Sequence, residues 1–339
     1  MTDTPLSLDT PSGTTEAMCV YAEAHAANTQ TIMVSRAAFD VLDRLVDGTN
    51  GAELLGSLVA QTGEPWSERR FPDPGKTVQA ALQDALNSAV VRHLASLEAF
   101  FHHSVKDLVQ FDESTRQLPT FEHAHDSLSE MNGGRCGRCS NAARDFCNQA
   151  SEGIEDRISA LGKLLHFDDS DSEPLLLILR YFRLARNRII HGGGLANAEL
   201  ASLSMSDELK AALTSWYAQC RRPGPTLPEF YSGDPVAFDA PQAVLLIAIA
   251  YKLAKSVTAM IASTMSARSY LEMALYYSLC ADDHPHREST HTDAEKPVAN
   301  FLHRYRVSPP RSNDLIAPMK NLGLWPLTRA KFTALYDEP

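Results

Sequence analysis

The sequence predicts an all-α protein with an antiparallel helical bundle at its centre. Three observations carry that expectation. Few segments alternate with the period of two that a half-buried strand requires. One apolar stripe runs at steps of three and four through Leu82, Leu86, Val90, Leu94, Leu97, Phe101 and Leu108. The strongly apolar stretch "PQAVLLIAIAYKLAKSVTAMIASTM" directly follows Asp239, a residue type that caps helix starts.

The elements follow in order. Residues 1–16 are rich in Ser, Thr, Pro and Asp and read as a polar, disordered tail. "SRAAFDVLDRLVDG" has Ala38, Val41, Leu42 and Leu45 at helical spacing, with Ser35 as its cap and Asn50–Gly51 as the break. Pro and Gly make 63–76 a linker. A long helix should then run from about 77 to 109. The stretch from Leu118 to Gly137 is irregular, broken by Asn132, Gly133 and Gly134. "NAARDFCNQASEGIEDRISALGKLL" is helical again, with a possible interruption at Gly153.

Ser172 can cap the next helix, with Pro174 in its first turn, and the glycines after His191 suit a left-handed stop. Ser206 caps a short helix, and 221–241 is a Pro-rich crossing loop. The C-terminal stretch holds apolar spacing for short helices, with Leu322 and Trp325 to dock them.

Bulk numbers bound the function. The chain has 339 residues, 44% hydrophobic and 22% charged, as expected of a soluble globular protein with one large domain or two smaller ones. Its formal net charge is -11, so a polyanion could bind only at a local basic patch. Six cysteines are too sparse for a disulfide framework. The N-terminus has acidic residues and no apolar core of a signal peptide, and the longest apolar run, from Ala243, is too short to span a bilayer. These points predict a cytoplasmic protein with reduced thiols and no membrane.

Against that acidic background, "RYFRLARNRIIHGGG" (180–194) places four arginines within nine residues. No carboxylate occurs between Glu173 and Glu199. On an ideal helix Arg180, Asn187 and Arg183 lie about 20°, 40° and 80° from His191, so one face presents all four. Ile178, Phe182, Ala185 and Ile189 fall mostly opposite. Arg186 sits about 140° from His191 and reaches it only by swinging round or across a dimer.

"RNRIIH" resembles the R-x4-6-H motif of HEPN domains, in the form R-N-x-x-x-H. "VVRHLASLEAFFHHSV" resembles the first long helix of such domains, and 241–265 the closing one. The resemblance covers 77–266 as a HEPN-like helical domain, flanked by an N-terminal extension (1–76) and a C-terminal extension (267–339). It implies a metal-independent ribonuclease acting as a homodimer, with two motif helices facing across a cleft, and no cofactor. Arg186 and His191 are then the catalytic pair and Asn187 their polar neighbour. Glu98 is an accessory candidate, because only some members use an acidic residue on the first helix. The family's roles in toxin–antitoxin pairs and phage defence imply RNA as substrate and an antitoxin or defence-system protein as partner. Some HEPN domains bind without cutting, and that alternative stays open.

The chemistry of the residues agrees. Attack by a ribose 2′-OH on the neighbouring phosphate needs a base, an acid and charge stabilisation. Histidine titrates nearest neutral pH, and the arginine fork matches phosphate oxygens. Only RNA has the attacking hydroxyl. Arg180, Arg183 and Arg188 would bind flanking phosphates.

A weaker constellation is "HAHDSLSEMNGGRCGRCSNAARDFC". Cys136 and Cys139 form a Cys-x2-Cys knuckle compatible with zinc, with Cys147 and His125 as further candidate ligands. The second ligand pair lacks standard spacing, and unligated cysteines are the alternative.

Overall fold

The computed structural model describes residues 13–48, 50–64, 71–121, 137–150, 153–168, 170–279 and 295–307. Among them helices dominate, no strand forms, and β structure is confined to an isolated antiparallel bridge between Leu195 and Pro235. The all-α expectation holds. Two compact units divide the chain. The first takes 1–22, 97–170 and 252–339; the second takes 23–96 and 171–251. Both divisions of the first half fall inside helices, so the units interleave along the sequence.

Helix α1 spans Glu16–Val46. It starts nineteen residues before the expected cap at Ser35, which lies inside it. The alanine-rich stretch 22–27 sustains the helix although it offers few large apolar side chains, because alanine has the best intrinsic helix propensity. Thr15 provides the cap, its Oγ1 accepting from the Met18 N–H at 3.2 Å. Helix α2, Gly51–Gln61, follows the predicted break. A Cβ at Gly51 would lie 2.1 Å from the Val46 carbonyl oxygen, so only glycine fits this tight reversal. Val46, Leu55 and Val78 close a small core there, with Phe39, Leu42 and Phe71 packed on it.

Helix α3, Pro74–Phe111, carries the predicted stripe, and Leu82, Leu94, Leu97 and Leu108 are all buried. Asp112 then caps the short α4 (Glu113–Arg116). Helices α5 (Gly137–Ala150) and α6 (Ile154–Leu164) pack on each other and part at Gly153, as the sequence suggests. Helices α7 (Glu173–His191), α8 (Ala198–Ser204) and α9 (Asp207–Cys220) belong to the second unit. Helix α10, Ala240–Thr264, starts at a reciprocal cap: Asp239 Oδ1 accepts from the Gln242 N–H at 2.8 Å, and Gln242 Oε1 accepts from the Asp239 N–H at 2.9 Å. By length and composition alone α10 could cross a membrane, but 61% of its most apolar window is buried inside the protein. Helices α11 (Ala267–Leu279) and α12 (Glu295–Arg304) pack on each other. The expected docking of Leu322 and Trp325, and most of the N-terminal tail, lie outside the described residues.

Within the first unit a carboxyl is buried on α3. Asp107 is 1% exposed, and the Tyr277 hydroxyl of α11 donates to its Oδ1 at 2.6 Å. Burial raises its pKa from 3.8 to about 7; the Tyr277 hydrogen bond and the Lys106 charge oppose the rise, while Glu16 adds to it. The native protein therefore holds a proton that the unfolded chain releases. Asp107 contributes most to stability below about pH 4, and that contribution fades as pH rises through about 7. Asp107→Asn keeps an acceptor for Tyr277 and never ionises. Urea unfolding of both proteins across this range should show the variant's stability gaining on wild type between about pH 4 and 7, and a constant difference above. A difference independent of pH would exclude a shifted Asp107.

Candidate functional site

The site is built on α7. Ser172 occupies its N-cap position but makes no side-chain cap hydrogen bond, and Pro174 sits in the first turn. One side of the helix is sealed by Leu175, Ile178, Leu179, Phe182 and Ala185, all buried. The seal is largely aromatic. Phe182 lies 5.2 Å from Phe238 and Tyr181 stacks on Phe230 at 6.3 Å between ring centroids. The buried Tyr181 hydroxyl donates to the Pro228 carbonyl at 2.9 Å, and burial raises its pKa. Helices α8 and α9 pack against α7.

The open end of α7 is shaped by its glycines. Gly193 and Gly194 have φ of 65° and 76°, the left-handed region that glycine enters without strain. The Arg188 carbonyl accepts from the N–H groups of Gly192 at 2.9 Å and Gly194 at 3.0 Å. The Arg188 side chain turns back as well: Nε donates to the Leu195 carbonyl at 2.7 Å and Nη2 to the Gly192 carbonyl at 3.2 Å. The chain beyond is tied to the Pro-rich loop. Val236 N–H donates to Gly194 at 2.7 Å, Ala196 N–H to Asp234 at 2.8 Å, and Gly233 N–H to Ala196 at 2.8 Å.

The polar face carries the predicted residues. His191 is exposed at the last turn. Arg183, Arg186 and Asn187 are half-buried. Arg186 Nη1 donates to Asn187 Oδ1 at 3.2 Å, and Arg186 Nε is shielded from water. Arg180 is exposed and pairs with Glu199 of α8 at 3.3 Å. Ile190, Leu195 and Tyr231 are exposed apolar side chains of the same region, at 42%, 47% and 69%. In chemical terms the face offers guanidinium groups for phosphate oxygens and one imidazole open to solvent.

Arg186 and Asn187 are thus in direct contact, and Arg188 is held by the glycine turn. Glu98 lies half-buried on α3, in the first unit, whereas the motif lies in the second. Of the zinc candidates, His125 and Cys136 and the side chain of Cys139 lie outside the described residues. Cys147 is a buried free thiol in the first unit, its pKa pushed up by burial against the lowering effect of Arg157. Among the described residues no group of three His, Cys, Asp or Glu side chains is placed to hold a metal ion. Sequence reasoning missed Glu199, which the glycine turn brings back beside Arg180, and Tyr231, which no motif marks. No family model, no curated protein and no solved structure matches this chain.

The arginines should separate by their contacts. Arg188→Ala removes two charge-assisted hydrogen bonds from the turn and should cost about 1 kcal/mol after discounting for partial exposure. Arg180→Ala removes a solvent-exposed pair and should cost less than about 0.5 kcal/mol. Urea unfolding measures both, and equal losses would contradict the clamp assigned to Arg188.

Proposed function

We propose that this protein is a metal-independent endoribonuclease of the HEPN type, working as a homodimer in the cytoplasm in a toxin–antitoxin or anti-phage role. One observation carries the reading: Arg186 is hydrogen-bonded to Asn187 while His191, five residues on, stands in solvent at the open end of the same helix. Arg186 would hold the scissile phosphate and Arg183 a flanking one. His191 of one protomer would take the proton from the ribose 2′-OH as its oxygen attacks phosphorus. The P–O5′ bond breaks, and the partner copy's motif would supply the proton for the leaving oxygen. The products are a 2′,3′-cyclic phosphate and a 5′-hydroxyl, and the groups invoked need no divalent ion.

A second reading is a HEPN module that binds nucleic acid or a protein partner without cutting. It is favoured by the internal use of two arginines, Arg180 by Glu199 and Arg188 by the turn carbonyls, which leaves fewer guanidinium donors for a substrate phosphate.

Incubation with total RNA in excess EDTA separates the two. The nuclease reading expects cyclic-phosphate ends and undiminished cutting on chelation. His191→Ala should lower the rate by at least about 100-fold, the scale of acid–base catalysis, with an unchanged helical spectrum. Binding without cleavage supports the second reading, and equal cleavage by His191→Ala sinks the assignment of His191.

A further inference from the structure

Within the second unit, α1 turns an apolar face to water. Its inner side is occupied: Ile32 and Val46 are buried, and Phe39 and Leu42 pack on the small core. On the outer side Ala27, Val34, Ala38, Val41 and Leu45 fall within an arc of about 60°. Val34 is 68% exposed, Val41 55%, Leu45 51% and the flanking Met33 64%. A helix that faces only water normally carries charge there. A contiguous row of exposed aliphatic side chains instead marks an interaction surface.

The pattern of this face identifies the partner. From Glu23 to Arg44 it steps alternately by four and three, through Ala27, Gln30, Val34, Ala37 and Val41. That is the spacing of two helices packed knobs into holes. The ends differ in both charge and size. The N-terminal end carries Glu23 with the small Ala26 and Ala27; the C-terminal end carries Arg44 with the larger Val41 and Leu45. All six are exposed. A second helix of the same sequence laid antiparallel brings each acidic, small end against a basic, bulky one. A parallel copy would set Glu23 against Glu23 and Arg44 against Arg44.

We propose that the outer face of α1 is a self-association surface, on which a second copy of this chain packs antiparallel about a two-fold axis near Val34. Such an interface is isologous, so both charge pairs form together. The surface is on a different helix from the Arg–His motif and does not rest on the ribonuclease reading.

Site-specific cross-linking of the full chain tests it. Val34→Cys lies close to the axis and should give a disulfide-linked dimer on mild oxidation, well above the background of the native cysteines in wild type. Val41→Cys should not, because the two copies of residue 41 are then about 22 Å apart along the helices. In the Val34→Cys background, Glu23→Arg makes two symmetry-related pairs repulsive and should cut the cross-linked fraction about tenfold at limiting concentration. Adding Arg44→Glu should restore it. Cross-linking of Val34→Cys no better than wild type would overturn the proposal, as would equal cross-linking at 34 and 41 or failure of the charge exchange to rescue. A dimer made only through the motif helices leaves Val34→Cys at background, so the two assemblies are told apart.

Discussion

The hydrogen bond from the buried Tyr181 hydroxyl to the Pro228 carbonyl is the constraint on which the second unit depends. A buried hydroxyl without a partner is costly, so the phenol can be inside only if the Pro-rich loop comes to it. That fixes 228–230 against α7, where Phe230 then stacks on the same ring. The Ser204 hydroxyl accepts from the Phe230 N–H at 2.9 Å and ties α8 to the same point. From there the loop runs on to 233–236, whose backbone bonds to 194–196 and holds the glycine turn. His191 lies ten residues, or about 15 Å of helix, from Tyr181. The exposed end of the motif is thus positioned by a buried phenol, through a loop with no regular structure.

The first unit solves a similar problem with carboxyls. Asp112 accepts from the Thr115 N–H at 2.8 Å, from the Thr115 and Ser114 hydroxyls at 2.7 and 2.5 Å, and from the Ser269 hydroxyl at 3.2 Å. Four donors satisfy its buried oxygens and join α4 to the start of α11. Asp107 has fewer donors and deeper burial, so it keeps its proton to near neutral pH. The two aspartates lie five residues apart on or beside α3, and they differ in the number of hydrogen bonds within reach.

How much was legible in the sequence follows from the same physics. Helices with a one-sided stripe or an explicit cap could be read: α3 from its leucines, α9 from Ser206, α10 from Asp239. The first half of α1 could not, because its alanines give propensity without a stripe. Ser35 looked like a cap because its residue type favours helix starts and a run at helical spacing follows it, yet in the folded chain the helix simply continues through it. In α11 the polar pair Arg268 and Glu272 is confined to the first turns, and Tyr270, Leu271, Met273 and Ala274 are all buried, so no polar stripe runs the length of the helix to define a period. At the site, the shared face of Arg180, Arg183, Asn187 and His191 follows from helix geometry alone. The partners do not. Glu199 reaches Arg180 only after the chain reverses at Gly193 and Gly194, and the Arg188 side chain bonds to carbonyls whose directions depend on left-handed backbone. Contacts made across a turn are not encoded in a periodicity.

The local charge balance bears directly on the proposed substrate. A net charge of -11 repels RNA at long range, so attraction at the proposed α7 face acts at distances near or below the screening length. Within that face, Arg180 spends much of its field on Glu199, and the clamp on Arg188 fixes where its charge sits. Arg183 and Arg186 are half-buried on the same helix that ends in the solvated His191 imidazole. A substrate held mainly by such a small cluster gains little from extended backbone contacts, so few counterions are released and affinity should depend only weakly on salt. Discrimination must then come from groups that meet the bases, and the exposed Tyr231, Leu195 and Ile190 of the same region are the apolar surface available for that contact.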